Sequence, residues 1–152
     1  MANTQAMCTS FMGELMTATH NFTTGTGDTF KAALYLASAT QNASTTAYGV
    51  TGEVSGAGYS AGGITVTNGT SPTATNSSAT AGVAYWTPTA SLTYSSVTLT
   101  TAFDCVLIYN SSKSNKAVSV HTFGSQTVTA GTFTLTMPSN TTSTALLRLA
   151  TT

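Results

Sequence analysis

The residues able to do acid–base, thiol or metal chemistry in this 152-residue chain are two histidines, four carboxylates and two cysteines. They are His20 and His121, Glu14, Asp28, Glu53 and Asp104, and Cys8 and Cys105. A zinc site needs imidazoles or thiols at short spacing, and a hard-cation site needs clustered carboxylates. No HxxxH, HxxE, DxD or CxxC occurs, so no metal and no other cofactor is expected. Both histidines read as hydrogen-bonded structural residues. Paired carboxylates for glycoside hydrolysis could come only from the same four acids. Of these, Glu14 is expected on the exposed side of a helix and Asp28 at the start of a strand. Asp104 lies inside the most apolar strand and is expected to face away from the core and meet backbone N–H groups or a lysine. Gly56-Ala-Gly58 lacks the third glycine of a dinucleotide loop, and no GK[ST] follows any glycine run. Serine chemistry is not expected either: no Ser-x-x-Lys occurs and no serine is read as an elbow nucleophile. The chain therefore reads as a non-enzyme.

The elements that must carry these residues are mostly strands. Before Asp28, the apolar positions Cys8, Phe11, Met12, Leu15 and Met16 repeat at helical spacing, which predicts a short docked helix capped by Thr9 or Ser10. Gly13 weakens it by about 1 kcal/mol, so it needs a surface to lie on. From residue 28 the period drops to two and Gly, Asn, Ser and Pro punctuate the chain. Strands are expected at 29–37, 45–50, 63–68, 82–87, 91–100, 103–110, 117–123, 126–129, 132–137 and 144–150. Phe103–Tyr109 is the most continuously apolar and is expected at the centre of a sheet. Residues 52–63, rich in glycine, and 68–81, rich in Thr and Ser, read as long loops. No helical stretch separates the strands, so an antiparallel arrangement is favoured over a parallel one. The expectation is one all-β domain, residues 1–152: an N-terminal helical arm over 1–27 and an antiparallel, jelly-roll-like β-sandwich over 28–152.

Charged residues make up 5% of the chain and the net charge is zero, against about 25% charged residues in ordinary soluble proteins. Without a basic field, nucleic-acid binding is not expected. No apolar run approaches the roughly 18 residues of a membrane span and no leader pattern opens the chain, so a soluble protein made in a cytoplasm is expected. The cysteines are expected as reduced thiols, with a Cys8–Cys105 disulfide after release from the cell as the alternative. What remains are contact surfaces. Met7, Phe11, Met12, Leu15 and Met16 form an adaptable apolar stripe, to be weighed against the helix simply plugging its own fold. The turn from Asn110 to Lys116 concentrates Lys113 and Lys116 at one tip, which could steer the chain onto an acidic neighbour.

Several strings resemble those of small virion proteins of tailed bacteriophages and their prophages. They include Met7-Cys-Thr-Ser-Phe11 with His20-Asn-Phe22, Asp28-Thr-Phe-Lys-Ala-Ala-Leu-Tyr35, the run from Thr51 to Gly63, Leu107-Ile-Tyr-Asn-Ser111, Asn115-Lys-Ala-Val118, Gly131-Thr-Phe-Thr-Leu135 and Leu147-Arg-Leu-Ala150. The resemblance implies a particle component without catalytic residues, nearest to capsid cement or decoration proteins. Its implied partners are the major capsid protein, other virion proteins and further copies of itself. A neck or tail subunit is the alternative within the virion. A carbohydrate-binding or weakly enzymatic module on the particle surface, stacking sugars on Tyr48, Tyr59, Tyr85, Trp86 or Tyr94, is a further alternative.

Overall fold

The computed structural model describes residues 2–75 and 82–151. Nine elements follow in chain order: β1 (Ala6–Met7), α1 (Thr9–Met16), β2 (Phe30–Leu36), β3 (Ile64–Thr65), β4 (Thr73–Thr75), β5 (Val83–Trp86), β6 (Leu92–Asn110), β7 (Lys116–Leu135) and β8 (Leu147–Ala150). All strand pairs are antiparallel, in a five-stranded sheet ordered β1-β7-β6-β2-β3 and a three-stranded sheet ordered β4-β5-β8. The all-β class and the single short N-terminal helix thus match the sequence expectation.

The backbone of the fold is one long hairpin. β6 and β7 span the segments expected as five separate strands, because bulges carry the ladder through the interruptions. Ser96 (φ 55°) and Ala130 (φ 46°) sit at two of these irregularities. β6 occupies the middle of the large sheet, as its continuous apolar run required, and Cys105 through Asn110 are buried without interruption. β2 alongside it is buried at five of seven positions. In the distal part of β7, Phe133 and Leu135 are half-buried while Thr132 and Thr134 are exposed, the expected one-wet-face alternation.

Other expectations are corrected. The segment 45–50 forms no strand; Ala47 makes one isolated bridge to Lys116, and the ring of Tyr48 stacks on Tyr109 at 4.6 Å. The 63–68 strand shrinks to Ile64–Thr65 and the 144–150 strand to Leu147–Ala150. The 68–81 loop contains β4, and its residues 76–81 lie outside the described residues. The helix starts from Cys8, and no side chain caps it.

The N-terminal arm is part of the core. β1 pairs with Ser119 and Val120 of β7, Cys8 N–H donates to Val118, and Thr9 N–H donates to Ala43. Phe22 stacks on Phe30 at 4.2 Å and meets Trp86 of β5 edge-on at 4.9 Å, with Phe11 6.0 Å away. This aromatic cluster joins the arm, the large sheet and the small sheet in one buried set that also includes Leu147. Burying each such ring contributes about 1.5–3 kcal/mol, so the arm is held by packing.

Candidate partner-binding surface

The hairpin tip was expected to be a charged turn free to meet a neighbour. Instead it is bonded to the arm. Ser114 (φ 51°) and Asn115 (φ 58°) take the left-handed conformations that reverse the chain. Asn110, at the end of β6, is fully buried. Its Oδ1 accepts from Ser112 N–H at 3.0 Å, and its Nδ2 donates to Asp28 Oδ2 at 2.7 Å and to His20 Nδ1 at 3.0 Å. The Ser112 bond fixes which end of the amide is which, so His20 Nδ1 is the acceptor and Nε2–H donates to Glu14 Oε2 at 2.7 Å. Lys116 Nζ donates to Glu14 Oε1 at 2.5 Å, and Lys113 lies 3.7 Å from Asp28 Oδ1. The result is a continuous chain, Lys116–Glu14–His20–Asn110–Asp28–Lys113, with two cations balanced by two anions.

Electrostatics follow from this wiring. Desolvation works to raise the Glu14 carboxyl, but hydrogen bonds from Lys116 and His20 together with the Lys116 charge outweigh it and hold it below the usual carboxylate range. At Asp28 desolvation is likewise overcome, by bonds from Asn110 and the Asn21 N–H and by the Lys113 charge. Glu14 is therefore not an exposed helix residue, and its place on α1 is what ties the helix to the tip. Sequence reasoning missed this set because its members are up to 102 residues apart; the one available hint was polar residues inside apolar segments.

Of the residues expected to contact partners, Phe11 and Asn110 are buried within the chain and present no surface. Lys113 and Lys116 keep partly exposed side chains, but their charges are matched internally. Met7 and Leu15 are half-buried and line an apolar groove of about 120 Å³ with Phe22, Trp86 and Leu147. Only Met12, at 44% exposure, and Met16, at 85%, remain open to solvent as the stripe reading required. The helical spacing was right, but Cys8 and Phe11 turn inward and the outer two methionines outward.

The glycine-rich segment 52–63 is pinned by Glu53. Tyr48 Oη donates to its Oε2 at 2.7 Å, while Tyr59 Oη and the Gly62 N–H donate to Oε1 at 2.8 and 2.7 Å. Tyr109 Oη in turn donates to the Gly62 carbonyl at 2.8 Å. Burial, with hydrogen bonding to Glu53 next, pushes the Tyr59 hydroxyl well above its ordinary value; at Tyr48 the same two causes act in the same order. These hydroxyls are structural clamps. Gly63 (φ 69°) shows why glycine is needed: a Cβ there would lie 1.7 Å from the Ala32 carbonyl oxygen.

The pentad Gly58-Tyr-Ser-Ala-Gly62 has the spelling of a nucleophile elbow, which the sequence reading missed. The strand–turn–helix context of such an elbow is missing: residues 52–63 form a loop leading into β3, with no helix after it. Neither histidine is bonded to Ser60, since His20 is held by Glu14 and Asn110, and His121 Nε2 bonds Ser119 Oγ at 2.8 Å. Burial pushes the His121 imidazole down to about 4. Asp104 accepts from the Asn3 side chain at 2.6 Å, not from a lysine. Among the aromatic platforms, Trp86 and Tyr94 are buried, and the rings of Tyr48 and Tyr59 stack on Tyr109 and Tyr94.

Among the described residues, no group of three or more His, Cys, Asp or Glu side chains could hold a metal ion. No helix among them is long and apolar enough to cross a membrane. Cys8 and Cys105 are free and buried, and desolvation pushes their thiols up to about 11 and about 12. No family model, curated protein or solved structure matches the chain.

Proposed function

We propose that this chain is a structural subunit of a bacteriophage particle, a capsid cement or decoration protein that lies across contacts between major capsid protein subunits. The observation that carries the reading is how the few charges are used. Four of the eight charged residues, Glu14, Asp28, Lys113 and Lys116, are spent on locking the arm to the hairpin. What is left outside is a surface rich in hydroxyls, with Arg148 and four exposed large apolar side chains, Met12 and Met16 on α1, Val50 and Leu149. Such a surface gives up little solvation when covered, because hydroxyls can exchange water for backbone and side-chain partners while charges resist burial. The resemblance of the strings around residues 7–22, 28–35 and 51–63 to small virion proteins supplies the particle. Adding buried area across subunit seams is how a cement protein opposes the outward force of packed DNA. In this role the chain needs no catalytic residue and no cofactor. Quantitative mass spectrometry of gradient-purified particles tests it: a head cement protein approaches the abundance of the capsid protein. About a dozen copies or fewer would move the chain to a neck ring, and absence from particles would end the reading.

A further inference from the structure

A cleft of about 370 Å³ opens where the large sheet meets the segment entering β8. One wall is a face of the large sheet. Met7 of β1 stands opposite Ser119 of β7, and strand alternation puts Gln5 and His121, two residues along from each, on that same face. The other wall runs from Ala145 to Arg148. Met7, Leu146 and Leu147 give the cleft apolar surface, and Gln5, Ser119, His121 and Arg148 give it polar groups. No Asp or Glu is among its lining residues.

The hydrogens of these groups can be placed. Ser119 is buried, and its hydroxyl makes one bond among the described residues, to His121 Nε2 at 2.8 Å. With a hydrogen on Nε2, the serine hydroxyl would keep its own hydrogen buried without an acceptor, which is costly. The hydroxyl therefore donates to Nε2. Burial keeps the ring neutral near neutral pH, so its single hydrogen sits on Nδ1. No described group accepts that Nδ1 hydrogen. Arg148 is anchored at one end, where its Nη1 donates to the Ser143 carbonyl. Its Nε and Nη2 hydrogens have no described partner, and they form the fork that a carboxylate bridges with two parallel bonds. Lys113 and Lys116 are matched by Asp28 and Glu14, but among the described residues no carboxylate pairs with Arg148. The cleft thus holds spare donors and a cation without a counter-ion. One cation beside neutral donors matches a single negative charge, not the nearly double charge of a phosphate monoester. The leucine and methionine surface matches an apolar body attached to that charge.

We propose that this cleft binds a carboxylate carried on an apolar body, with Arg148 as its ion-pair partner and His121 Nδ1–H and the Gln5 amide as neutral donors. The site does not depend on where the subunit resides. The same chemistry is offered by a free aliphatic acid and by a glutamate side chain of a neighbouring protein, so two probes are titrated into the full chain: 4-methylpentanoate and the blocked dipeptide acetyl-Leu-Glu-amide. Nuclear magnetic resonance should show saturable shifts of the His121 ring and Arg148 Nε–H signals in the millimolar range. The uncharged isostere 4-methylpentanamide should produce none. Tighter binding of the dipeptide assigns the site to a neighbouring chain, and tighter binding of the free acid assigns it to a small molecule. Arg148→Gln should weaken binding at least about 10-fold, the worth of one charge-assisted bond. Arg148 is exposed, so the variant is expected to fold. Lys31→Gln removes the same charge from β2, outside the cleft, and should leave binding unchanged. A wild type that responds to neither probe, an equal response to the amide, or binding that survives Arg148→Gln would each overturn the proposal.

Discussion

Replacing Asn110 with alanine removes the centre of the hydrogen-bonded chain that joins arm to hairpin. The side chain is fully buried and makes bonds to His20, Asp28 and Ser112. Two bonds between neutral groups are worth about 1 kcal/mol each, and the one to the Asp28 carboxylate about 1.5–3 kcal/mol. Asp28 keeps the Asn21 N–H and Lys113, which limits its share of the loss. The sum is about 3 kcal/mol, or roughly 6–12 °C in melting temperature for a domain of this size. Urea unfolding followed by fluorescence measures it directly, because the single tryptophan, Trp86, lies in the aromatic cluster with Phe22. A double-mutant cycle with His20→Ala should then return a coupling of about 1 kcal/mol or more. An Asn110→Ala loss below about 0.5 kcal/mol, the range of ordinary surface substitutions, would refute the idea that this network locks the arm.

Phe22→Ala should cost about 3–5 kcal/mol in the same assay, since it empties the space between Phe30 and Trp86; a small loss would mean the arm is an appendage. Gly63→Ala should prevent folding to a single state, read as loss of chemical-shift dispersion, because its Cβ meets a backbone carbonyl. Stability should fall on acidification in two windows. His121 binds a proton near 6.5 when unfolded but only at about 4 when folded, so stability declines from about pH 6.5 down to about 4, and His121→Gln should flatten that part of the profile. Glu14 and Asp28 are held below the usual carboxylate range when folded, so their contribution is present above the unfolded carboxylate pKa and is lost as pH falls through their folded values. Cys8 and Cys105 should resist a thiol reagent in the native protein and react in urea.

The sequence made the apolar elements legible. Phe30–Leu36 and Phe103–Tyr109 announce themselves as buried strands by composition, and the Phe11 stripe announces α1 by spacing. Strand continuity was not legible: Gly124-Ser125 and Ala130-Gly131 look like turns, yet bulges absorb them and β7 runs through. The short edges β1 and β4 have too few residues to show a period. At 45–50 an alternating pattern reflects Tyr48 packing on Tyr109, not a ladder. The polar network was invisible for a different reason. Glu14, His20, Asp28 and Asn110 carry no mutual spacing, and only the fold brings them within hydrogen-bonding distance. The contact stripe was half legible, since spacing identifies the helix face but not whether the chain's own core takes it.

The proposed role requires this low-charge surface to be covered by other subunits. Density for the chain in an intact phage particle tests it most directly. The expected result is the chain on the capsid shell, with α1 around Met12 and Met16 buried against neighbours. Particles with no density for the chain, or a chain held with that face of α1 open to solvent, would contradict it.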